Sequence, residues 1–223
     1  MGKIQWLRLW ACVVLVVLCG RLSVASGATR GLQIVDPEGK SVGLYKASYA
    51  LVIGASNYTR GWPSLPGVAM DVEKVKTALQ EQGFEVTLVK DPTKESLYKA
   101  MESFLNKYGL DAENRLLLYY AGHGHTLKTI SGDMGYLVPV DAPNPNNDRK
   151  GFLGTAMDME QIEGYAKRLQ SKHALFLFDS CFSGSLLISL SRDAPPKHIT
   201  EKTSQPVRQF ITAGNEEETV PDQ

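Results

Sequence analysis

Residues 173–181 read HALFLFDSC, an apolar run that ends in an acid, a serine and a cysteine. A run without polar alternation is typical of a strand that is covered on both faces, as in parallel sheets. A second such run, RLLLYYAG at 115–122, leads into His123, Gly124 and His125. Two predicted strands therefore carry chemically reactive residues at their carboxyl ends.

From Tyr49 onward the sequence alternates between strand-like and helix-like patterns. Further apolar runs begin at Tyr49, Phe84 and Val207, and turn residues bound them, so they predict three more strands. Residues 133–154 read as a long loop, and LLISL at 186–190 predicts a helix. This order predicts a three-layer α/β domain with a mostly parallel sheet and helices on both faces. The other helices are predicted by the apolar stripes Val68, Val72, Val75 and Leu79, then Leu97, Met101, Phe104, Leu105 and Tyr108, then Met159, Ile162, Ala166 and Leu169.

The composition is that of an ordinary globular protein. The chain has 223 residues, of which 43% are hydrophobic and 22% charged. Lys and Arg together number 24, as do Asp and Glu, so the formal net charge is zero. This balance lacks the basic excess typical of nucleic-acid binding, and we expect no nucleic-acid partner. The sequence makes no prediction of oligomeric state.

Residues 1–28 differ in character from the rest of the chain. Basic residues near the start precede an apolar run at 9–19, and small residues follow it. This pattern predicts a secretory signal peptide, cleaved after Ala25 or Ala28. The run is shorter than the ~20 residues that span a bilayer. We therefore expect a secreted or periplasmic protein without a stable membrane span, with an uncleaved membrane anchor as the alternative.

The distribution of cysteine narrows the role of Cys181. The chain has 3 cysteines, and Cys12 and Cys19 lie in the predicted signal peptide. The mature chain then keeps Cys181 alone and forms no intramolecular disulfide. A buried cysteine at a strand end is often only a packing residue. A single cysteine in an oxidising compartment, however, favours a chemical role.

A cysteine nucleophile needs a neighbouring base, and a histidine lies near Cys181 if the strands that precede His123 and Cys181 are neighbours, as consecutive strands often are. Ligands of open α/β sheets bind at the carboxyl ends of the strands, where His123 and Cys181 both lie. We expect the thiolate of Cys181 to be the attacking species, with His123 as a candidate donor of the proton to the leaving amine. The N–H of Gly124 is a candidate donor to the oxyanion. Spacing alone does not decide between His123 and His125 as the base.

Asp179 lies two residues before Cys181, so both side chains point to the same side of an extended strand. A carboxylate beside the nucleophile opposes thiolate formation, so we expect it to serve another purpose. Binding the cationic side chain of a substrate is one such purpose. Capping the helix that follows Cys181 is the alternative.

Two motifs on successive strands carry a family resemblance. YYAGHGH at 119–125 and DSCFSG at 179–184 resemble the caspase-like cysteine peptidases of family C14, specifically the bacterial metacaspase-like (orthocaspase) group. YALVIGASNY at 49–58 and LPGVAMDVEKV at 65–75 resemble the first strand and helix of that group. The glutamine-containing cysteine motif of the animal caspases is absent, which favours the metacaspase-like group.

The resemblance implies a function and a set of site residues. His123 and Cys181 match the catalytic dyad of the family, and Asp71 and Asp179 match acids that bind a basic substrate residue. Cleavage after Arg or Lys of a protein or peptide substrate is therefore implied, and cleavage after Asp is disfavoured. Asp71 has an alternative role as an acid in the first turn of a helix, where the helix dipole stabilises it.

The expected domain organisation is a signal peptide at 1–28, a short lead-in at 29–48 with an edge hairpin, and a caspase-like peptidase domain at 49–223. The family continues with another strand and helix, so we expect the C-terminal strand of the domain to be missing. A cysteine that metacaspases often carry in the first helix region is replaced by Val68.

The Cys-His chemistry requires no cofactor, but calcium activates some members of the family. Asp141 and Asp158 match part of the acidic cluster that binds the ion, whereas the position soon after the nucleophile is Ile188. Because hard cations need several oxygen ligands, the sequence does not predict a complete calcium site. Activation by calcium stays an open alternative.

Residues 185–208 predict a linker in which the enzyme cuts itself after a basic residue, although a solvated loop is the plainer interpretation. Two other classes of function compete with the peptidase. One is a caspase-fold binding or regulatory module without turnover, and the other is an acyl-transferring or thioesterase-like enzyme that uses Cys181. The basic residues of the linker are Arg192, Lys197, Lys202 and Arg208.

Overall fold

The computed structural model of the chain describes the core of the predicted domain. The predicted signal peptide, Cys181 and the predicted helix at 186–190 lie outside the described residues. Of the helices in the described ranges, none combines the length and apolar character that crossing a bilayer requires. The described ranges are 33–35, 41–43, 45–130, 132–180 and 206–213.

Strands and helices alternate along most of this chain. In order, the elements are β1 (Gln33–Val35), β2 (Ser41–Gly43), β3 (Ala47–Gly54), α1 (Pro66–Glu81), β4 (Glu85–Lys90), α2 (Lys94–Tyr108), β5 (Asn114–Ala121), β6 (Gly124–Thr129), β7 (Gly132–Leu137), α3 (Arg149–Leu153), β8 (Met157–Asp158), α4 (Met159–Arg168), β9 (His173–Asp179) and β10 (Val207–Thr212).

A five-stranded parallel sheet forms the centre of the fold. Its strand order is β10-β9-β5-β3-β4, and every neighbouring pair is parallel. The predicted α/β class and the five predicted strands are thereby confirmed. The lead-in contains the antiparallel pair β1–β2, which forms a sheet of its own instead of an edge of the main sheet.

Helix α1 packs on one face of the sheet through valines of the predicted stripe. Val72 is fully buried and clusters with Val52 of β3 and Ala121 of β5. Gly54 allows this close approach, since a Cβ at that position would lie 2.7 Å from Cγ1 of Val72. The helix ends before Gly83, whose φ of 81° favours glycine.

Helices α2 and α4 cover the opposite face and contribute to the larger apolar core. The side chain of Thr93 accepts a hydrogen bond from the N–H of Ser96 and so caps the start of α2. All the stripe residues predicted for these two helices are buried, which confirms that periodicity located their packed faces. They are Leu97, Met101, Phe104, Leu105 and Tyr108, with Met159, Ile162, Ala166 and Leu169 on the second stripe.

The prediction of a long loop at 133–154 was wrong. Strands β6 and β7 form an antiparallel hairpin, β8 pairs with β7, and α3 lies within the same stretch. The strands are short and polar toward the hairpin tip, and Gly132 has a φ of 119°. Such segments carry little apolar periodicity, so the pattern that revealed the parallel strands did not reveal these.

Candidate active site

The register of β5 and β9 brings the two reactive motifs to one place. Ala121 of β5 pairs with Asp179 of β9, and the N–H of Gly122 donates to the carbonyl oxygen of Asp179 at 3.3 Å. Strands β5 and β9 are thus neighbours in the main sheet. His123 follows Ala121 by two residues, and Cys181 follows Asp179 by two residues. Cys181 itself lies outside the described residues.

The ring of His123 is oriented by a backbone carbonyl. Its Nε2 lies 2.9 Å from the carbonyl oxygen of Pro63. Because a carbonyl oxygen only accepts hydrogen bonds, Nε2 carries the proton, and Nδ1 is the basic nitrogen of the neutral ring. The rings of Tyr58 and Trp62 flank the imidazole, with centroid distances of 4.6 and 5.1 Å.

Both the N–H and the carbonyl of the His123 backbone form hydrogen bonds. Its N–H donates to the hydroxyl oxygen of Tyr58 at 2.7 Å. Its carbonyl accepts from the N–H of Val138 at 3.1 Å and from the hydroxyl of Tyr120 at 3.2 Å. The single hydroxyl proton of Tyr120 is shared between this carbonyl and the closer carbonyl of Val138, at 2.8 Å. Two buried tyrosines thus fix the main chain from which the imidazole projects.

Burial raises the pKa of Tyr58 to about 12, although the hydrogen bonds from the His123 N–H and with Tyr120 lower it. Burial also raises the pKa of Tyr120 well above its ordinary value. Both phenols are therefore neutral at physiological pH and act as hydrogen-bonding groups, not as charges.

Only glycine fits at position 122, where the main chain passes between the hydroxyls of Tyr58 and Tyr120. Its φ of 155° lies in the range that L side chains rarely adopt. A Cβ there would lie 2.7 Å from the hydroxyl of Tyr58 and 2.9 Å from that of Tyr120. The glycine before the histidine therefore lets the chain pass between the groups that hold it.

The second histidine of the motif occupies a different environment. His125 lies in β6, and its ring contacts those of Trp62 and Phe152 at centroid distances of 5.7 and 5.4 Å. Burial, and then the positive charge of Arg149, lower the pKa of His125. The structure thus distinguishes the two histidines that spacing left equivalent: His125 packs against aromatic rings, whereas His123 lies beside the paired strand ends.

The predicted oxyanion donor lies at the start of β6. Gly124 is opposite Leu137, while the N–H of Val138 donates to the carbonyl of His123. This pattern makes Gly124 and Leu137 a non-hydrogen-bonded pair, in which the N–H of Gly124 points away from β7. Because β6 is the outer strand of the sheet β6-β7-β8, that N–H lies outside the ladder.

The two predicted acids, Asp179 and Asp71, both influence the pKa of the phenol of Tyr119. The hydroxyl of Tyr119 donates to Oδ2 of Asp179 at 3.0 Å. Burial raises the pKa of Tyr119 most, and the charges of Asp179 and Asp71 raise it further. Asp71 also pairs with Lys74 at 3.2 Å. In the described part of the chain, no Lys, Arg or His forms an ion pair with Asp179.

The alternative role of Asp71 as a first-turn acid was wrong. Helix α1 begins at Pro66 and has no acidic residue in its first turn. Asp71 lies beyond that turn, where the stabilisation of an acid by the helix dipole has faded. The alternative role of Asp179, as the cap of a following helix, concerns residues outside the described ranges.

The two acids predicted as partial calcium ligands cap helices. Asp141 accepts a hydrogen bond from the N–H of Lys94 at 2.8 Å, at the start of α2. Asp158 accepts from the N–H of Gln161 at 2.8 Å, at the start of α4. Across the residues that the structure describes, no three His, Cys, Asp or Glu side chains form a group that could hold a metal ion.

Sequence reasoning missed the loop that surrounds the imidazole. Tyr58, Trp62 and Pro63 all contact His123 and lie between β3 and α1. The sequence did hold one indication that this loop belongs to the site, because the loop follows the carboxyl end of β3, a central strand of the sheet. Its aromatic residues and prolines carry no catalytic motif, so only their position along the sheet could have pointed to them.

Comparison with known proteins assigns the family that this fold and site suggest. The family model of the caspase domain, Peptidase_C14, matches residues 47–221. The chain therefore belongs to the caspase domain family of cysteine peptidases. The predicted resemblance to family C14 is confirmed.

Relatives of known name cover part of the chain. Human mucosa-associated lymphoid tissue lymphoma translocation protein 1 is 33% identical over 141 residues, which are 62% of this chain and 15% of that protein. Metacaspase-1A of Neurospora crassa is 33% identical over 156 residues, 62% of this chain and 32% of that protein. The chain thus spans a third or less of these relatives. The solved structure of protein GSU0716 from Geobacter sulfurreducens is 20% identical, with a TM-score of 0.48 over 62% of this chain and 52% of that one.

Proposed function

We propose that the chain is a cysteine endopeptidase that hydrolyses peptide bonds after Arg or Lys, with Cys181 as nucleophile and His123 as general acid and base. The observation that carries this proposal is the pairing of Ala121 with Asp179. Both motifs leave the sheet from paired positions on neighbouring strands. His123 and Cys181 each follow two residues after their paired position. Membership of a cysteine peptidase family supports this assignment.

The chemistry follows from the tautomer of His123. The thiol proton of Cys181 passes to Nδ1, and the sulfur attacks the substrate carbonyl to form a tetrahedral intermediate. The resulting imidazolium keeps its Nε2–H on the carbonyl oxygen of Pro63, which stabilises the positive charge. Collapse of the intermediate breaks the C–N bond, and Nδ1–H protonates the leaving amine. Water then attacks the thioester as His123 accepts its proton, the C–S bond breaks to release the acid, and the proton returns from His123 to the sulfur of Cys181.

The N–H of Gly124 supports the proposed oxyanion site. It points away from the β6–β7 ladder, so it does not have to leave a strand partner to bind the intermediate. A donor that is already oriented costs no reorganisation when negative charge develops on the substrate oxygen.

The proposed preference for Arg or Lys rests on Asp179, Asp71 and Tyr119. Tyr119 stays neutral because burial and both carboxylates raise its pKa, so it acts as a hydrogen-bond donor and not as a charge. Its hydroxyl holds Oδ2 of Asp179, which fixes the carboxylate for a cationic side chain. Asp71 is the weaker contributor because it is half-exposed and paired with Lys74.

We also propose that the linker at 185–208 is processed by the enzyme itself, and the position of Arg208 bears on where the cuts fall. Arg208 lies within β10, where it pairs with Ala174. Its guanidinium donates hydrogen bonds to the carbonyls of Lys172 and Leu169 at 3.0 and 2.8 Å. Cleavage after Arg208 would have to break a strand, so we expect cuts after Arg192, Lys197 or Lys202. Mass spectrometry of the incubated protein, with its Cys181→Ala variant as control, reads the cut positions.

The proposed activity is tested with fluorogenic peptides that end in Arg, Lys, Asp or Ala, with and without calcium. We expect hydrolysis of the Arg and Lys peptides by the full chain, and none by the Cys181→Ala variant. Loss of turnover in His123→Ala but not in His125→Ala would identify the base. A folded chain that hydrolyses none of the peptides would favour the binding or regulatory module instead.

A further inference from the structure

The loop from Ser56 to Leu65 is closed at its base by two hydrogen bonds. The N–H of Leu65 donates to the carbonyl of Ser56 at 3.0 Å, and the hydroxyl of Ser56 donates to the carbonyl of Leu65 at 2.7 Å. Between these ends lie Tyr58, Trp62 and Pro63, which contact the backbone, the ring face and the Nε2 of His123. We refer to residues 56–65 as the histidine loop. Its position decides what the imidazole touches.

Asp91, at the end of β4, holds the entry of this loop. Its carboxylate accepts three hydrogen bonds, from the N–H of Ser56 at 2.7 Å, the N–H of Asn57 at 2.9 Å and Nδ2 of Asn57 at 2.6 Å. Its own N–H donates to the carbonyl of Gly54 at 2.7 Å. Asp91 therefore ties the last residue of β3 and the first residues of the histidine loop to the neighbouring strand.

The backbone of Asp91 is in a conformation that costs free energy. Its φ is 47°, and it is the only non-glycine residue with positive φ in the described ranges. Such a conformation persists where the surrounding interactions over-determine it, and Asp and Asn tolerate it better than other side chains. Here the conformation directs the carboxylate back toward Ser56 and Asn57.

The charge of Asp91 suits this role. Burial alone raises the pKa of its carboxyl, but the hydrogen bonds from Asn57 and Ser56 and the positive charge of Lys90 together bring the pKa below its ordinary value. The carboxylate is therefore ionised at neutral pH and accepts all three hydrogen bonds.

The middle of the histidine loop has separate attachments. The N–H of Thr59 donates to the carbonyl of Val140 at 3.0 Å, and the N–H of Asn144 donates to the carbonyl of Arg60 at 2.9 Å. These bonds connect the loop to the segment that precedes α3. Loss of the Asp91 carboxylate should therefore loosen the loop without unfolding the domain.

We propose that Asp91 is a positioning residue for His123: it anchors the histidine loop so that the carbonyl of Pro63 meets Nε2 and leaves Nδ1 as the base. The effect on turnover rests on the proposed peptidase function, whereas the effect on the tautomer does not. Nothing in the sequence motifs pointed to Asp91, because it follows β4, a strand that carries neither reactive residue.

The test compares the full chain with its Asp91→Gly and Asp91→Asn variants. Both replacements tolerate positive φ; glycine removes every side-chain acceptor, and asparagine keeps one acceptor oxygen but loses the charge. Asp133→Asn, at an exposed position of β7, is the matched control. Long-range ¹H–¹⁵N spectra of protein labelled with ¹⁵N-histidine report which ring nitrogen of His123 is protonated. Variants that each replace one histidine assign the signals.

We expect the Nε2–H form of His123 in the unmodified chain and the control, and a mixture of both tautomers in Asp91→Gly. With the Arg peptide, we expect kcat of Asp91→Gly to fall about tenfold to a hundredfold, with KM changed less than about twofold. For Asp91→Asn we expect a tautomer mixture and a kcat between those of the unmodified chain and Asp91→Gly. If Asp91→Gly does not fold, the Asp91→Asn variant tests the role of Asp91. An unchanged tautomer and an unchanged kcat in a folded variant would overturn the role. If no form of the chain hydrolyses peptide, the peptidase proposal fails and the tautomer spectra still decide the role of Asp91.

Discussion

The Nε2 of His123 lies 2.9 Å from the carbonyl oxygen of Pro63. This contact joins the end of β5 to the loop between β3 and α1, and it fixes which nitrogen of the ring can accept a proton. The partner of the histidine is a backbone group, so no side-chain motif records it. The hydrogen bond from the His123 N–H to Tyr58 ties the same two segments together a second time.

Replacing Tyr58 by Phe keeps the ring but removes its hydroxyl, which accepts a hydrogen bond from the His123 N–H and is hydrogen-bonded with Tyr120. We expect a loss of about 1–3 kcal/mol in the free energy of unfolding, because the partly buried N–H of His123 and the buried hydroxyl of Tyr120 each lose a hydrogen bond. Urea denaturation measures it. Tyr98→Phe removes a phenol hydrogen bond on α2, away from the site, and is the control. Equal small losses in both variants would contradict a special role for Tyr58.

Two glycine replacements should change stability in opposite directions. Gly122→Ala places a methyl group against the hydroxyls of Tyr58 and Tyr120, so we expect it to destabilise the fold by about 1–3 kcal/mol. A Cβ added to Gly164, inside α4, would meet no atom within 4 Å. Gly164→Ala should therefore stabilise by about 0.5–1 kcal/mol. Thermal unfolding compares the two, and a Gly122→Ala variant as stable as the unmodified chain would show that the space between the phenols does not require glycine.

Neutralising Asp179 should weaken recognition of basic substrates. We expect Asp179→Asn to lower kcat/KM for the Arg peptide about tenfold to a hundredfold, because a hydrogen-bonded ion pair with the substrate is lost. Asp71→Asn should have a smaller effect, since Asp71 already pairs with Lys74. The relative rates for Arg and Ala peptides provide the measurement. A preference for Arg that survives in a variant carrying both Asp71→Asn and Asp179→Asn would place the recognition elsewhere.

The low pKa of His125 predicts a pH effect on stability. Burial, and then Arg149, hold the folded-state pKa below the ordinary value of 6.5, so the unfolded state binds a proton first as the pH falls. The contribution of neutral His125 is therefore complete above pH ~6.5 and is lost as the pH falls toward the folded pKa. Urea denaturation between pH ~7.5 and pH ~5 should show a shallower decline for His125→Gln than for the unmodified chain. Parallel curves would show that His125 is not responsible.

The sequence predicts the sheet well because burial on both faces leaves an unmistakable pattern. The strand from His173 to Asp179 and the strand from Asn114 to Ala121 are largely apolar. Their neighbouring positions agree with the tendency of consecutive strands to lie side by side. The helical stripes are equally clear because the 3.6-residue period recurs over several turns.

Other parts of the site could not be predicted, for a physical reason. The hairpin β6–β7 is short and partly exposed, so its strands lack an apolar period. The contacts of His123 with Pro63 and Tyr58 use backbone groups and one phenol, and they join residues 60 and 65 positions apart in the sequence. Long-range hydrogen bonds of this kind depend on the tertiary fold, and a single sequence holds no local record of them. The anchoring carboxylate of Asp91 is a further example.

The proposed catalysis depends most on His123 and Cys181 acting as one unit. The direct test is the rate at which iodoacetamide alkylates Cys181 as a function of pH, followed by mass spectrometry of the Cys181 peptide. In the unmodified chain we expect a reactive thiolate well below the free-cysteine pKa of ~8.5, and in His123→Ala a profile that returns to about that value. His125→Ala should behave like the unmodified chain. Identical profiles for the unmodified chain and His123→Ala would contradict the catalytic pair.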